Sequence, residues 1–195
     1  MSFINRLKEI LDKGSYLEPK LNENGRNNLK LTESSANNSY EITIRNVPGE
    51  SIAIKLDENF PEPNSLLSNK KGQRKRCDYA IVSVKKGRLQ IIFLELKNNG
   101  SNKSSSFSKE TLQQQLTGGI SCIEYIRSIA ENFWNEREIF KKYKSYFVAM
   151  VKVTGKKRPT KNTVTSNKKH TKPGNFLKLT HYDSIEFNQI GGSSR

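Results

Sequence analysis

Two runs rich in β-branched and aliphatic residues, CDYAIVSV at 77–84 and LQIIFLELK at 89–97, stand on either side of KKGR at 85–88. A glycine-containing turn between two such runs is the signature of a β-hairpin. The second run constrains the fold further. Ile91, Ile92, Phe93, Leu94 and Leu96 form an almost unbroken apolar stretch, the pattern of a strand covered on both faces. Glu95 and Lys97 interrupt it, and an uncompensated charge in such a place costs on the order of several kcal/mol. Two charges there need a reason.

Strand geometry limits what the reason can be. Residues two apart share a face, so Glu95 and Lys97 face the same way as Ile91 and Phe93. A hairpin closed symmetrically on Lys86-Gly87 puts Asp78 opposite Glu95, across strands whose Cα atoms are about 4.5–5.5 Å apart. A bulge would turn Asp78 to the other face. Carboxylates so placed repel unless something neutralises them: a divalent cation, or an ion pair of Asp78 or Glu95 with Lys97 at the sheet end. Asp78 is also the only carboxylate between Glu62 and Glu95, set among eight Lys or Arg. Two acids and a lysine against that background suit metal-assisted attack on a phosphodiester. Carboxylate oxygens hold a hard cation such as Mg²⁺ or Mn²⁺, and Lys97 orients the attacking water or stabilises charge on the phosphate.

The charge balance points to the same class of partner. Of 195 residues, 34 are Lys or Arg and 19 are Asp or Glu, a net charge of +15. From Ile139 to Tyr182 there are twelve Lys or Arg and no acid. A solvated surface would account for such a block, but an acid-free stretch this long fits a polyanion better, nucleic acid first. Lys156, Lys157, Arg158, Lys161, Lys168 and Lys169 are the candidate phosphate contacts, bringing affinity without sequence choice. Gly155, Pro159, Pro173 and Gly174 argue against a basic membrane-binding helix. No segment reaches the roughly 20 apolar residues of a membrane span. The opening MSFINRLKEILDKG, with Phe3, Leu7, Ile10 and Leu11 on one helical face, lacks the apolar block of a secretion signal, so a cytoplasmic protein is expected. Cys77 and Cys122 form no CxxC, and only His170 and His181 could join them, which argues against structural zinc.

Along the chain the pattern predicts the first helix, an irregular polar stretch over LNENGRNNLKLTESSANNS, and strands YEITIRNV and SIAIKL joined at Pro48-Gly49. A loop at 57–76 ending in KKGQRKR precedes the hairpin. A link, NNGSNKSSSFS, then leads to a helix from the N-cap Ser108 to about Phe133, with Gly118-Gly119 as a weak point inside it. Strand YFVAMVKV, a basic loop at about 154–175 and two short strands, FLKLTHY and SIEFNQI, complete the chain. This order implies one domain over 1–195, of α/β (α+β) class, with a mixed central β-sheet flanked by helices.

Asp78 in CDYAIV, Glu95-Leu96-Lys97 across the hairpin and a following helix containing Gln115 resemble the PD-(D/E)XK nuclease superfamily, the restriction-endonuclease-like fold. By element order the resemblance covers about residues 40–153. It implies a Mg²⁺- or Mn²⁺-dependent nuclease, with DNA expected ahead of RNA, acting alone, as a homodimer or in a larger defence or repair complex. The acids matching Asp78 and Glu95 would bind the metal with the main-chain carbonyl of Leu96, and Lys97 would serve catalysis. Cys77 replaces the name-giving proline. Gln115 matches the glutamine of RecB-like members, but Gly119 stands where they carry a tyrosine. Glu9 and Glu33 are the candidates for a third acid. A non-catalytic nucleic-acid-binding protein on the same scaffold is the alternative.

Overall fold

The computed structural model describes residues 1–33, 40–59, 68–98, 108–152, 169–181 and 183–191. Lys156, Lys157, Arg158, Lys161 and Lys168 of the basic loop, and most of the link after Asn98, lie outside them. The described chain is α+β, as its element order implies. A six-stranded mixed sheet has the order β1-β5-β6-β7-β8-β9, with β1 at Tyr16–Leu17, β5 at Ser51–Lys55, β6 at Tyr79–Lys85, β7 at Arg88–Asn98, β8 at Lys144–Lys152 and β9 at Leu177–His181. The strands from β1 to β7 pair antiparallel, and β8 and β9 continue in parallel.

Helices cover one face of this sheet, α1 at Phe3–Ile10 and α3 at Lys109–Trp134. The other face is covered by a second sheet rather than by helices. Its order is β10-β4-β3-β2, with β2 at Lys20–Leu21, β3 at Asn27–Glu33, β4 at Tyr40–Arg45 and β10 at Ser184–Glu186. The alternation of β7 divides the two cores. Ile92, Leu94 and Leu96 pack with Leu29, Leu31, Ile42 and Ile44 of the second sheet, while Ile91 and Phe93 pack with Leu116, Ile123 and Ile126 of α3.

The second sheet corrects three readings of the sequence. The stretch read as irregular contains β3, whose only apolar residues, Leu29 and Leu31, are completely buried among asparagines and charges. Two leucines give a period-2 signal too short to stand out, and pairing with β4 supplies the rest. YEITIR and SIAIK are strands, but they lie in different sheets, the chain crossing between them at 46–50. SIEFNQI divides into β10 and one helical turn, α4 at Phe187–Ile190, closed by a reciprocal cap between Glu186 and Gln189. A further turn of helix, α2 at Leu56–Asn59, starts the segment read as a loop.

The hairpin closes on Lys86-Gly87, both at positive φ (51° and 70°), the backbone of a two-residue type I′ turn. Its pairs run from Lys85 with Arg88 to Tyr79 with Leu94. Ser108 caps α3 by accepting the Thr111 N–H at 3.0 Å, and Asn135 ends it in the left-handed conformation.

Gly118 and Gly119 are where α3 comes closest to the hairpin. A Cβ on Gly118 would sit 1.8 Å from the Lys75 carbonyl oxygen, and one on Gly119 would sit 2.5 Å from Cys77 Sγ and 2.9 Å from the Phe93 ring. The two glycines cost helix propensity of about 1 kcal/mol each and let α3 touch the chain just before Asp78. Gly118→Ala should therefore destabilise the protein by about 2 kcal/mol, because the clash with backbone outweighs the propensity gain. Urea unfolding checks this; a stabilised variant would mean that α3 stands further from residues 75–77.

Candidate active site

One further step of the hairpin register places Asp78 opposite Glu95. Both carboxylates lie on the α3 face, since Phe93, two residues from Glu95, and Ala80, two from Asp78, pack in the core under that helix. β6 stops at Tyr79, and its neighbour Asp78 is tied to the strands on both sides. The Asp78 carbonyl accepts the Leu56 N–H at 2.9 Å, and Asp78 Oδ2 accepts the Leu96 N–H at 2.5 Å. Leu96, whose carbonyl the resemblance would offer to a metal, thus meets Asp78 through its amide.

Glu95 is fully buried, beside the small Ala149 of β8. Its Oε1 is ion-paired with the Lys97 ammonium, and its Oε2 has no hydrogen-bond partner among the described residues. A buried carboxylate oxygen without a donor is costly and rare in folded proteins. Asp78 and Lys97 reach the wall of a cleft of about 160 Å³ whose lining includes Glu33 and Thr32 of β3, Lys55 at the end of β5, Asp57 and Glu58 of α2, Tyr79, and Gln115 of α3.

The electrostatics follow from two acids sharing one base. Burial pushes the Asp78 carboxyl up to about 7 against the pull of Lys97 and the Leu96 N–H, with Glu33 and Asp57 adding repulsion. Glu95 is raised well above the carboxylate range, by burial first and by Asp78 second. Burial works to lower the Lys97 pKa, but Glu95 and Asp78 outweigh it and raise it, so Lys97 is an ammonium. Burial also raises the Cys77 thiol, and Tyr79 is pushed up to about 12, which leaves neither as a ready anion. The Tyr79 hydroxyl instead donates to the Thr32 carbonyl at 2.7 Å and holds β3 against the cleft.

The sequence-derived trio Asp78, Glu95 and Lys97 is therefore brought together, and Gln115 joins it at the cleft with its Oε1 buried and without a hydrogen-bond partner. Of the two third-acid candidates the cleft takes Glu33, while Glu9 is exposed on α1. Asp57 and Glu58 escaped sequence reasoning. They follow the apolar run SIAIKL, and only the pairing of β5 with β6 brings them to Asp78. Lys169 is exposed and does not line the cleft. Its neighbour His170 is elsewhere too, its Nε2 2.9 Å from the Ile190 carbonyl and its ring beside Tyr146. Among the described residues no three His, Cys, Asp or Glu side chains form a ready cation site. The donor set on offer is two carboxylates with open oxygens, the kind that holds Mg²⁺ or Mn²⁺ with water filling the remaining positions. That set and the orphaned Glu95 Oε2 fit a hard cation. No family model, curated protein or solved structure matches the chain.

A carboxyl that titrates near 7 when folded and near 3.8 when unfolded takes up a proton on folding between those values. Its stabilising contribution is complete in acid and is lost as pH rises through that window. Asp78→Asn removes this loss, so in chelator the melting-temperature gap in favour of Asp78→Asn should widen by several degrees from about pH 5 to about pH 8. A gap independent of pH would mean that Asp78 is not held in this environment.

Proposed function

We propose that the protein is a metal-dependent nuclease of PD-(D/E)XK type, hydrolysing phosphodiester bonds of nucleic acid, with DNA the expected substrate ahead of RNA. The observation that carries this reading is the pairing of Asp78 with Glu95 across the hairpin, a half-buried and a fully buried carboxylate with the Lys97 ammonium against them and an open oxygen left over. A fold needing only an ion pair at this point has no use for the second acid. Asp78 and Glu95 hold the cation. When bound, it neutralises the phosphate and lowers the pKa of a coordinated water.

Lys97 is a fixed positive charge 15% exposed at the cleft wall, able to meet the charge that builds on phosphate oxygens as a water oxygen adds to phosphorus and an ester P–O bond breaks. Gln115 offers the cleft an amide oxygen without a hydrogen-bond partner among the described residues, which can accept a hydrogen bond from that water and orient it. The acids at Glu33, Asp57 and Glu58 repel a bare phosphate, so productive approach depends on the cation and on basic groups outside the cleft.

The second reading, a nucleic-acid-binding protein without catalysis, draws on the Glu95–Lys97 ion pair, which already neutralises one acid. The two readings separate on plasmid, single-stranded DNA and RNA incubated with Mg²⁺, Mn²⁺ or EDTA. Cleavage should occur with metal and stop in EDTA, and Asp78→Ala, Glu95→Ala and Lys97→Ala should each lower the rate at least about 100-fold. His170→Ala should retain most of it. Absence of cleavage by the parent with either metal on all three substrates would favour the binding protein.

A further inference from the structure

The described chain holds a second cluster of charge, opposite in sign to the cleft. Residues 68–77 contain Lys70, Lys71, Arg74, Lys75 and Arg76 and no acid. They are folded into two successive turns. Gly72 N–H donates to the Asn69 carbonyl at 3.2 Å, and Lys75 N–H donates to the Gly72 carbonyl at 3.0 Å. Gly72 itself takes a positive φ of 77°.

The turns are fastened to α3. Lys75 Nζ donates to Gln114 Oε1 at 2.7 Å, a Cβ on Gly72 would lie 2.7 Å from the Gln114 side chain, and the Lys75 carbonyl lies against Gly118. Arg76 reaches Cys122 further along the same helix. The side chains of Lys70 and Lys71 remain exposed and have no carboxylate partner among the described residues. The consecutive glutamines of α3 thus serve different neighbours: Gln114 holds the basic turns and Gln115 lines the cleft.

From this we infer that residues 69–76 form a preordered binding element for the sugar-phosphate backbone of the nucleic acid, carried by α3 at the side of the cleft. The inference rests on the proposed nucleic-acid reading and names where the substrate is gripped. Only Arg76 and Cys77 lie between Lys75 and Asp78, so their Cα atoms are at most about 10 Å apart. Ordered turns give this element an advantage over a free basic tail, because less side-chain and backbone freedom is lost on binding. An acid-lined cleft cannot hold a polyanion by its own charge, and this neighbouring surface supplies the attraction.

The test uses full-length protein in chelator, with Asp78→Asn to exclude cleavage, and fluorescence anisotropy on a 20-base-pair duplex over a salt series. Lys70→Gln/Lys71→Gln/Arg74→Gln should weaken binding at least about tenfold and flatten the salt slope by up to about 2.7, at about 0.9 for each phosphate no longer neutralised. The control removes the same charge at the far end of the hairpin, Lys85→Gln/Lys86→Gln/Arg88→Gln, and should change affinity less than about threefold. If the first variant lowers the melting temperature, the exposed pair Lys70→Gln/Lys71→Gln carries the test alone, with an expected slope change of about 1.8. Equal effects of the 70–74 and 85–88 variants would overturn the inference even if the parent cleaves DNA. A selective loss of binding in a protein that cleaves nothing would keep the binding element and remove the nuclease.

Discussion

Mutual repulsion of Asp78 and Glu95, answered by a single ammonium, is the constraint around which this end of the fold is arranged. The hairpin register brings the acids together, Leu56 at the start of α2 and Leu96 of β7 tie Asp78 by its carbonyl and carboxylate, and the small side chain of Ala149 stands beside Glu95. Each of these devices holds charge where burial opposes it. Stability alone does not select such a site, since well-packed apolar side chains in place of a buried ion pair are often neutral or stabilising. Its presence makes sense if the charges work.

α3 connects that site to the rest of the molecule. Its Gly118-Gly119 approach lets the helix lie on residues 75–77, and one turn earlier Gln115 enters the cleft while Gln114 holds the basic turns. Acidic cleft and basic flank thereby share one support. A helix with side chains at 118 and 119 would have to lift away, moving Gln115 from the cleft and Gln114 from Lys75 together.

Much of the site was legible because it depends on local rules. Period-2 alternation and a two-residue turn were enough to place Asp78 opposite Glu95, since hairpin register is a short-range property. The Ser108 cap and the long helix after it were legible for the same reason. What stayed hidden was nonlocal. Asp57 and Glu58 reach the cleft through the pairing of β5 with β6, and Glu33 through β3, a strand with only Leu29 and Leu31 to announce it. Gly118-Gly119 reads as a helix defect in one dimension and as a close approach in three. Composition draws the eye to the basic loop after Thr154, whereas Lys70–Arg76 gains its interest from lying beside the cleft, a position that no count of charges gives.

A Mn²⁺ soak of crystals, read by anomalous diffraction, decides whether the paired acids hold a cation. One strong peak is expected, bound by carboxylate oxygens of both Asp78 and Glu95 at about 2.0–2.3 Å as hard-cation ligation requires, with Lys97 displaced from at least one Glu95 oxygen. Glu95 still closed on Lys97, with no anomalous density beside Asp78 at millimolar Mn²⁺, would contradict it.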